Sequence, residues 1–489
     1  MNFIASVLFA AATWLNATSA DIPAVAQSLP DDAAIRILVS VGGPGAERAL
    51  ANALASADDT NAVKLIKALG DLGSSEAISD CARRLLYATG DLKDVCLYAL
   101  GRTTSRRAAR LLSARISDDA YAAAYLRHGE SLLELGRKQE PAVVALDLLG
   151  SVKSSPIRCG AVALLAAARG YAAQPKLLAL LDDPDRAVRE QAARQLSQMP
   201  SAVGLIAAFR RATGEPRRLL LEAIARRAEP ANVPVLLEAL RESDDAVRQV
   251  AVLALQNSVD PKVDAALAGM LTSPAQQGIA LELLTRRRAR AQAAAVMPLI
   301  HDPAVSKQAF TALGLLAGEK EIEQILSAAL ATNDEGFREQ AAKAIAAAAP
   351  RLANNTRVVA MLTHVPESAR AWTLSLLPAF GGKTALDAVV AASRGSEREA
   401  AVRALADWRD ESALEPLLAL CRESEDTKLR VLAARGAIRI VTRADLEKEQ
   451  KAAWLQKLIE TAPRPEEKQQ AQAALQELEK QPGTLRRKK

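Results

Sequence analysis

The chain has 489 residues, half of them apolar but only 3% aromatic, with four cysteines and three histidines. Its net charge of +6, from 63 basic and 57 acidic side chains, is a mild excess and not the footprint of an obligate nucleic-acid binder. This composition excludes collagen, a disulfide scaffold, disorder and an aromatic stacking platform, leaves little material for metal sites, and favours helix over sheet.

Residues Phe3 to Leu15 form an uncharged apolar run followed by small and polar residues. With cleavage expected after Thr18-Ser19-Ala20, or after Ala24-Val25-Ala26, residues 1–20 read as a secretory signal peptide and the protein as periplasmic or secreted; the alternatives are an uncleaved anchor, or an apolar first helix capping the fold of a cytoplasmic protein. Apart from this run, charged residues interrupt nearly every helix-length window, so no integral membrane segment is expected in the mature chain. Residues 21–44, with the stretch DDAAIRILVSV, predict an N-terminal capping helix.

From there the sequence repeats itself. Residues 171–198 read YAAQPKLLALLDDPDRAVREQAARQLSQ and residues 231–258 read ANVPVLLEALRESDDAVRQVAVLALQNS. Each holds an amphipathic helix, a short acidic turn, and a second helix of the form x-V-R-x-x-A-x-x-x-L. Taking the apolar residue seven positions after that Arg as an anchor gives a series: Leu69, Leu100, Leu133, Leu165, Leu196, Ile224, Leu255, Leu284, Leu313, Ile345, Leu377, Leu405 and Ala437. Successive anchors lie about 31 residues apart, too little chain for two independently stable helices, so each hairpin must bury its apolar faces on its neighbours. The fold class predicted is all-α: a right-handed α-solenoid of about thirteen helical hairpins over residues 45–441.

The pattern resembles HEAT repeats, in particular the short bacterial HEAT-like form also found in phycobilisome-lyase-type proteins. The resemblance implies a ladder of Asp and Arg along the stack. The Arg register is filled by Arg158, Arg189, Arg217, Arg248, Arg338, Arg370, Arg398 and Arg430, with Lys93 as a substitute, and Asp185, Asp244, Asp334 and Asp426 stand four residues earlier in the best-formed units. The Asp is expected to cap the helix start, and the Arg to bridge to the neighbouring unit's Asp or carbonyls. The units around Leu133, Leu284 and Leu313 lack the Arg, so the ladder is expected to break there.

After the array, residues 442–481 predict a polar C-terminal helical cap with Trp454 and Leu458 facing inward, and residues 482–489 a basic tail. His128, His301 and His364 lie far apart and are read as surface or turn residues, and no metal, nucleotide or nucleophile motif is present. Cys81 and Cys96 fall at similar depth on successive helices. An oxidising compartment would allow a disulfide between them; otherwise they are two small buried residues.

Basic residues cluster at Arg210, Arg211, Arg218, Arg226, Arg227, Arg286, Arg287 and Arg288. Two accounts stand. Cations in a last helical turn satisfy its free carbonyls, or they form a basic surface for an acidic protein partner. The function expected is a non-enzymatic scaffold that binds a protein along the concave face and needs no cofactor. The alternatives are the small-cofactor lyase or carrier role that the resemblance implies, and nucleic-acid binding in a protein that is not exported.

Overall fold

The computed structural model describes residues 17–352 and 356–480. The apolar run Phe3–Leu15 and the basic tail lie outside the described residues, within which every regular element is helical. The chain divides into two compact units, Met1–Ala254 and Leu255–Lys489.

In the first unit, first and second helices alternate: Gly43–Ala55 with Asp59–Asp71, Ile78–Arg84 with Gly90–Arg102, Arg106–Ser113 with Asp119–Glu134, Gln139–Ser151 with Ser155–Arg169, Gln174–Ala179 with Arg186–Ser197, and Val203–Arg211 with Gly214–Ala225. A seventh hairpin, Val233–Ala239 with Asp245–Asn257, meets the division between the units in its second helix. The second unit continues with Lys262–Met270 and Pro274–Arg287, a broken first helix ending at His301 with Ser306–Leu316, Glu319–Ala331 with Glu335–Ala348, Thr356–Thr363 with Glu367–Leu374, Gly382–Ala392 with Arg398–Ala406, and Leu414–Glu423 with Thr427–Arg443. Each unit is an α-solenoid.

The anchors explain why. Every anchor except Leu133 is buried, most of them completely. Leu133 is displaced by one: its neighbour Leu132 faces the core, with His128 and Ser131 buried beside it. The counting rule fails in this unit because Leu132 and Leu133 stand side by side and no Arg chooses between them. Tyr125 stands seven residues before Leu132 and reaches Asp147 with its hydroxyl at 3.1 Å.

Within each unit the densest packing joins one second helix to the next, while successive first helices touch little. That asymmetry curves each unit toward its second helices. Glycine permits the closest approaches. A Cβ on Gly101, one residue past the anchor Leu100, would lie 2.8 Å from the Ala124 carbonyl oxygen, and one on Gly70 would meet the Tyr98 ring at 2.9 Å.

The ends are covered differently. Helices Ile22–Ala26 and Asp32–Val41 bury Ile22, Val25 and Leu38 against the first hairpin. At the other terminus Lys448–Thr461 and Pro465–Lys480 pack on Thr427–Arg443. Leu455 and Leu458 face inward there; the predicted Trp454 is half-exposed instead, its ring covered by the Lys457 ammonium at 4.5 Å. Glu467 of the last helix is fully buried and paired with Arg435 and Arg464. Those two hydrogen-bonded cations compensate the desolvation of its charge.

The corrected register has a direct check by equilibrium denaturation. Leu132→Ala should cost about 2–5 kcal/mol, as a truncated core leucine does, and Leu133→Ala under about 1 kcal/mol. Equal losses would restore the original register.

Candidate interaction surface

Several second helices begin on a capping acid. Asp185 accepts from the Ala187 N–H at 2.9 Å, Asp244 from Ala246 at 2.8 Å, Asp334 from Phe337 at 3.1 Å and Asp426 from Lys428 at 2.8 Å. These satisfy donors that the helix start leaves free.

The Arg residues, expected to bridge to the neighbouring unit's Asp or carbonyls, also bond within their own unit. They return to the carbonyls that end their own first helix or its turn: Arg189 to Asp183 O at 2.8 Å, Arg217 to Ala212 O at 3.1 Å, Arg248 to Glu242 O at 2.6 Å, Arg338 to Ala329 O at 3.1 Å and Arg430 to Cys421 O at 2.8 Å. Several also reach the next unit, through an acid in its turn. Arg158 forks onto Asp183, Arg217 pairs with Glu242, and Lys93 reaches Asp118 at 3.1 Å.

At Leu284 and Leu313, where the Arg is lacking, other donors keep the bond to the end of the first helix. Gln277 donates to Leu271 O at 3.2 Å and Ser306 to Ile300 O at 2.8 Å, each reaching six residues back as Arg189 and Arg248 do. The ladder lapses at Arg370 and Arg398, which are exposed and make no hydrogen bond or ion pair.

The clustered arginines divide into two kinds. Arg227 and Arg287 have side chains only 6% and 7% exposed. Arg227 donates to Ser197 O and Met199 O, and Arg287 to Leu255 O, Gln256 O and Ser258 O, so each closes the carbonyl end of the preceding unit's second helix. Both are therefore unavailable to a partner. In the first unit Arg210 pairs with Glu238, and Arg218 and Arg226 share Glu222; Arg211 is exposed. In the second, Arg286 pairs with Glu282, while Arg288 is exposed in a left-handed backbone conformation with φ 54°. Neighbouring glutamates thus neutralise much of the apparent basic patch.

A feature that sequence reasoning missed lies on three successive second helices of the first unit. Tyr98 packs on Gly70 and donates its hydroxyl to Asp71 at 2.7 Å, while the Arg127 guanidinium sits 5.6 Å from its ring centre. Burial and the Asp71 carboxylate raise the Tyr98 pKa, so its hydroxyl stays a donor. Arg102 and Glu134 approach within 3.6 Å beside it. The only signal in the sequence was Tyr98 two residues before an anchor in a chain with five tyrosines.

His128, expected near the surface, is buried, and its Nδ1 donates to Thr103 O at 2.6 Å. Burial holds its pKa below the ordinary value, so the ring is neutral. No cluster of potential metal ligands occurs among the described residues. Cys81 and Cys96 are both fully buried and meet as free thiols; hydrogen bonding to Cys96 and burial push the Cys81 thiol up. No helix of the described residues is long and apolar enough to cross a membrane.

Comparison with protein families places a match to HEAT repeats on residues 202–285, where helix pairs, capping acids and carbonyl-bound side chains recur. The chain carries HEAT repeats. Solved structures similar to this HEAT chain include Kap121p bound to Nup53p, 11% identical over 93% of this chain and 64% of that one, with a TM-score of 0.38. The karyopherin Kap121p bound to the extreme C-terminus of the protein phosphatase Cdc14p is 11% identical over 94% and 65%, also at 0.38. Human deoxyhypusine hydroxylase in complex with glycerol is 22% identical over 48% of this chain and 95% of its own, with a TM-score of 0.22. The HEAT chain spans just under two thirds of the length of the Kap121p chains. Comparison with curated proteins finds no match.

Two outcomes follow from the bonding. Arg227→Met should cost about 1.5–3 kcal/mol in denaturant unfolding, the scale of hydrogen bonds to a charged group, whereas exposed Arg211→Met should stay within about 0.5 kcal/mol. Acid should also loosen the joints. Hydrogen bonds from Ser155 and the Ala187 amide hold Asp185 below the usual carboxylate range; burial opposes ionisation of Asp118, and bonds from Lys93 and Ala120 outweigh it. Both folded values lie below the unfolded value of about 3.9, so the stabilisation is complete above that pH and disappears as the pH falls through the folded values. Asp185→Asn keeps a capping oxygen but not the charge. Its Tm deficit against the parent should be present at neutral pH and shrink below about pH 4.

Proposed function

We propose that the protein is a non-enzymatic scaffold that holds a protein partner on the second-helix face of its HEAT array. The observation that carries this reading is the Asp71–Tyr98–Arg127 chain, which runs across three adjacent second helices. Tyrosine and arginine are the residue types that anchor protein interfaces, and here both are pre-positioned, which lowers the entropy lost on binding. The surrounding face carries both signs of charge, with Lys67–Asp71 and Arg102–Glu134 across or along its helices. That arrangement suits a partner of mixed charge better than a polyanion. The signal-like Phe3–Leu15 run adds an exported location to the proposal, which N-terminal sequencing of the mature protein tests.

The binding test is affinity capture from native extract with the full chain, compared with Tyr98→Ala and Arg127→Glu. Each substitution should weaken capture of a specific protein at least about tenfold while helicity and Tm are retained. Unchanged capture by both variants would remove this face from consideration.

A further inference from the structure

The second unit contains a cavity of about 290 Å³ where a ladder side chain is missing from its usual place. It is bounded by the end of the first helix Thr356–Thr363, by the second helix Glu367–Leu374, and by the end of Gly382–Ala392 with the turn that follows it. In the first unit the corresponding space is spanned by Arg217, which bonds the end of its own first helix and the acid in the next unit's turn. Here Arg370 lines the cavity without any hydrogen-bond or ion-pair partner. Glu397 lines it from the next unit's turn, equally unpaired, and makes no capping bond to the helix Arg398–Ala406 that it precedes. Leu362, Val365, Leu374 and Leu377 give it an apolar wall, and Thr363, Thr373 and Ser396 add hydroxyls.

Two opposite charges that do not meet, set around a cavity with an apolar wall, are complementary to a small molecule that carries both charges and an apolar group. We infer that this cavity binds a free aliphatic α-amino acid of leucine's size. Its carboxylate lies on Arg370, its ammonium on Glu397, and its side chain against the leucines. The volume accommodates about ten water-sized groups, which matches leucine's nine non-hydrogen atoms. The guanidinium offers a planar two-pronged donor to a carboxylate, and the glutamate accepts from an ammonium. The ligand would complete the rung that the protein leaves open. This inference is independent of the scaffold reading, since it concerns a different unit and different residues.

Isothermal titration of the full chain with L-leucine tests it. A single site is expected, with affinity in or below the range of about 1 mM. Isocaproate, which lacks the ammonium, and isopentylamine, which lacks the carboxylate, should each bind at least about tenfold more weakly to the unaltered protein. Arg370→Met and Glu397→Gln should each weaken leucine about tenfold, and Ala388→Phe, which fills the cavity, should abolish binding. No heat with leucine at about 10 mM, or equal affinity for leucine and both analogues, would overturn the assignment even if every variant failed to fold.

Discussion

A short helix in a stacked array ends in carbonyl groups that its own turns cannot satisfy, and the turn that follows is pressed against the next hairpin, away from water. Many of the units answer this constraint with a donor sent from the second helix to the end of the first. Arg189, Arg248, Gln277 and Ser306 do so at the same spacing with side chains of very different length. The identity of the donor is therefore secondary to the direction of the bond. A long Arg has reach to spare and extends to an acid in the next unit, joining two hairpins with one side chain. Gln277 and Ser306 satisfy the carbonyl and stop there.

The same constraint decides what the sequence could show. The anchor period was legible because burial of an apolar residue once per hairpin needs only the period itself, and the helix starts were legible because an acid next to a helix start has little else to do. The bonds were not. Nothing in the pattern distinguishes Arg227, drawn into the preceding unit's carbonyl end, from Arg226 one residue earlier, which leans on Glu222 in solvent. The helical rotation between the two positions separates them, and that depends on how neighbouring helices pack. Leu133 and Trp454 were misplaced by one residue for a related reason, since a run of adjacent apolar residues leaves the inward face open to two assignments. Tyr98 and Arg127 are 29 positions apart, so the surface they form exists only after two second helices have been laid side by side.

This also revises what the basic composition means. Read along the chain, nine arginines against three glutamates in residues 186–227 suggest a field that attracts anions. In the fold Arg189 and Arg217 are spent on carbonyls, Arg227 on the neighbouring hairpin, and Arg186, Arg210, Arg218 and Arg226 on glutamates, of which Glu238 comes from beyond that stretch. Arginine is abundant here mainly as a hydrogen-bond fork. The second-helix face of the first unit accordingly alternates in charge around the Tyr98 ring.

Gly70 and Gly101 give the first unit a further property. Where adjacent second helices meet at a bare hydrogen, the local rise from one hairpin to the next is set by a contact a single methyl group wide. Replacing either glycine would leave every exposed side chain in place and yet change the spacing between the helices that display them. The surface that the second helices display can therefore be retuned from beneath, through its pitch, by residues that stay buried.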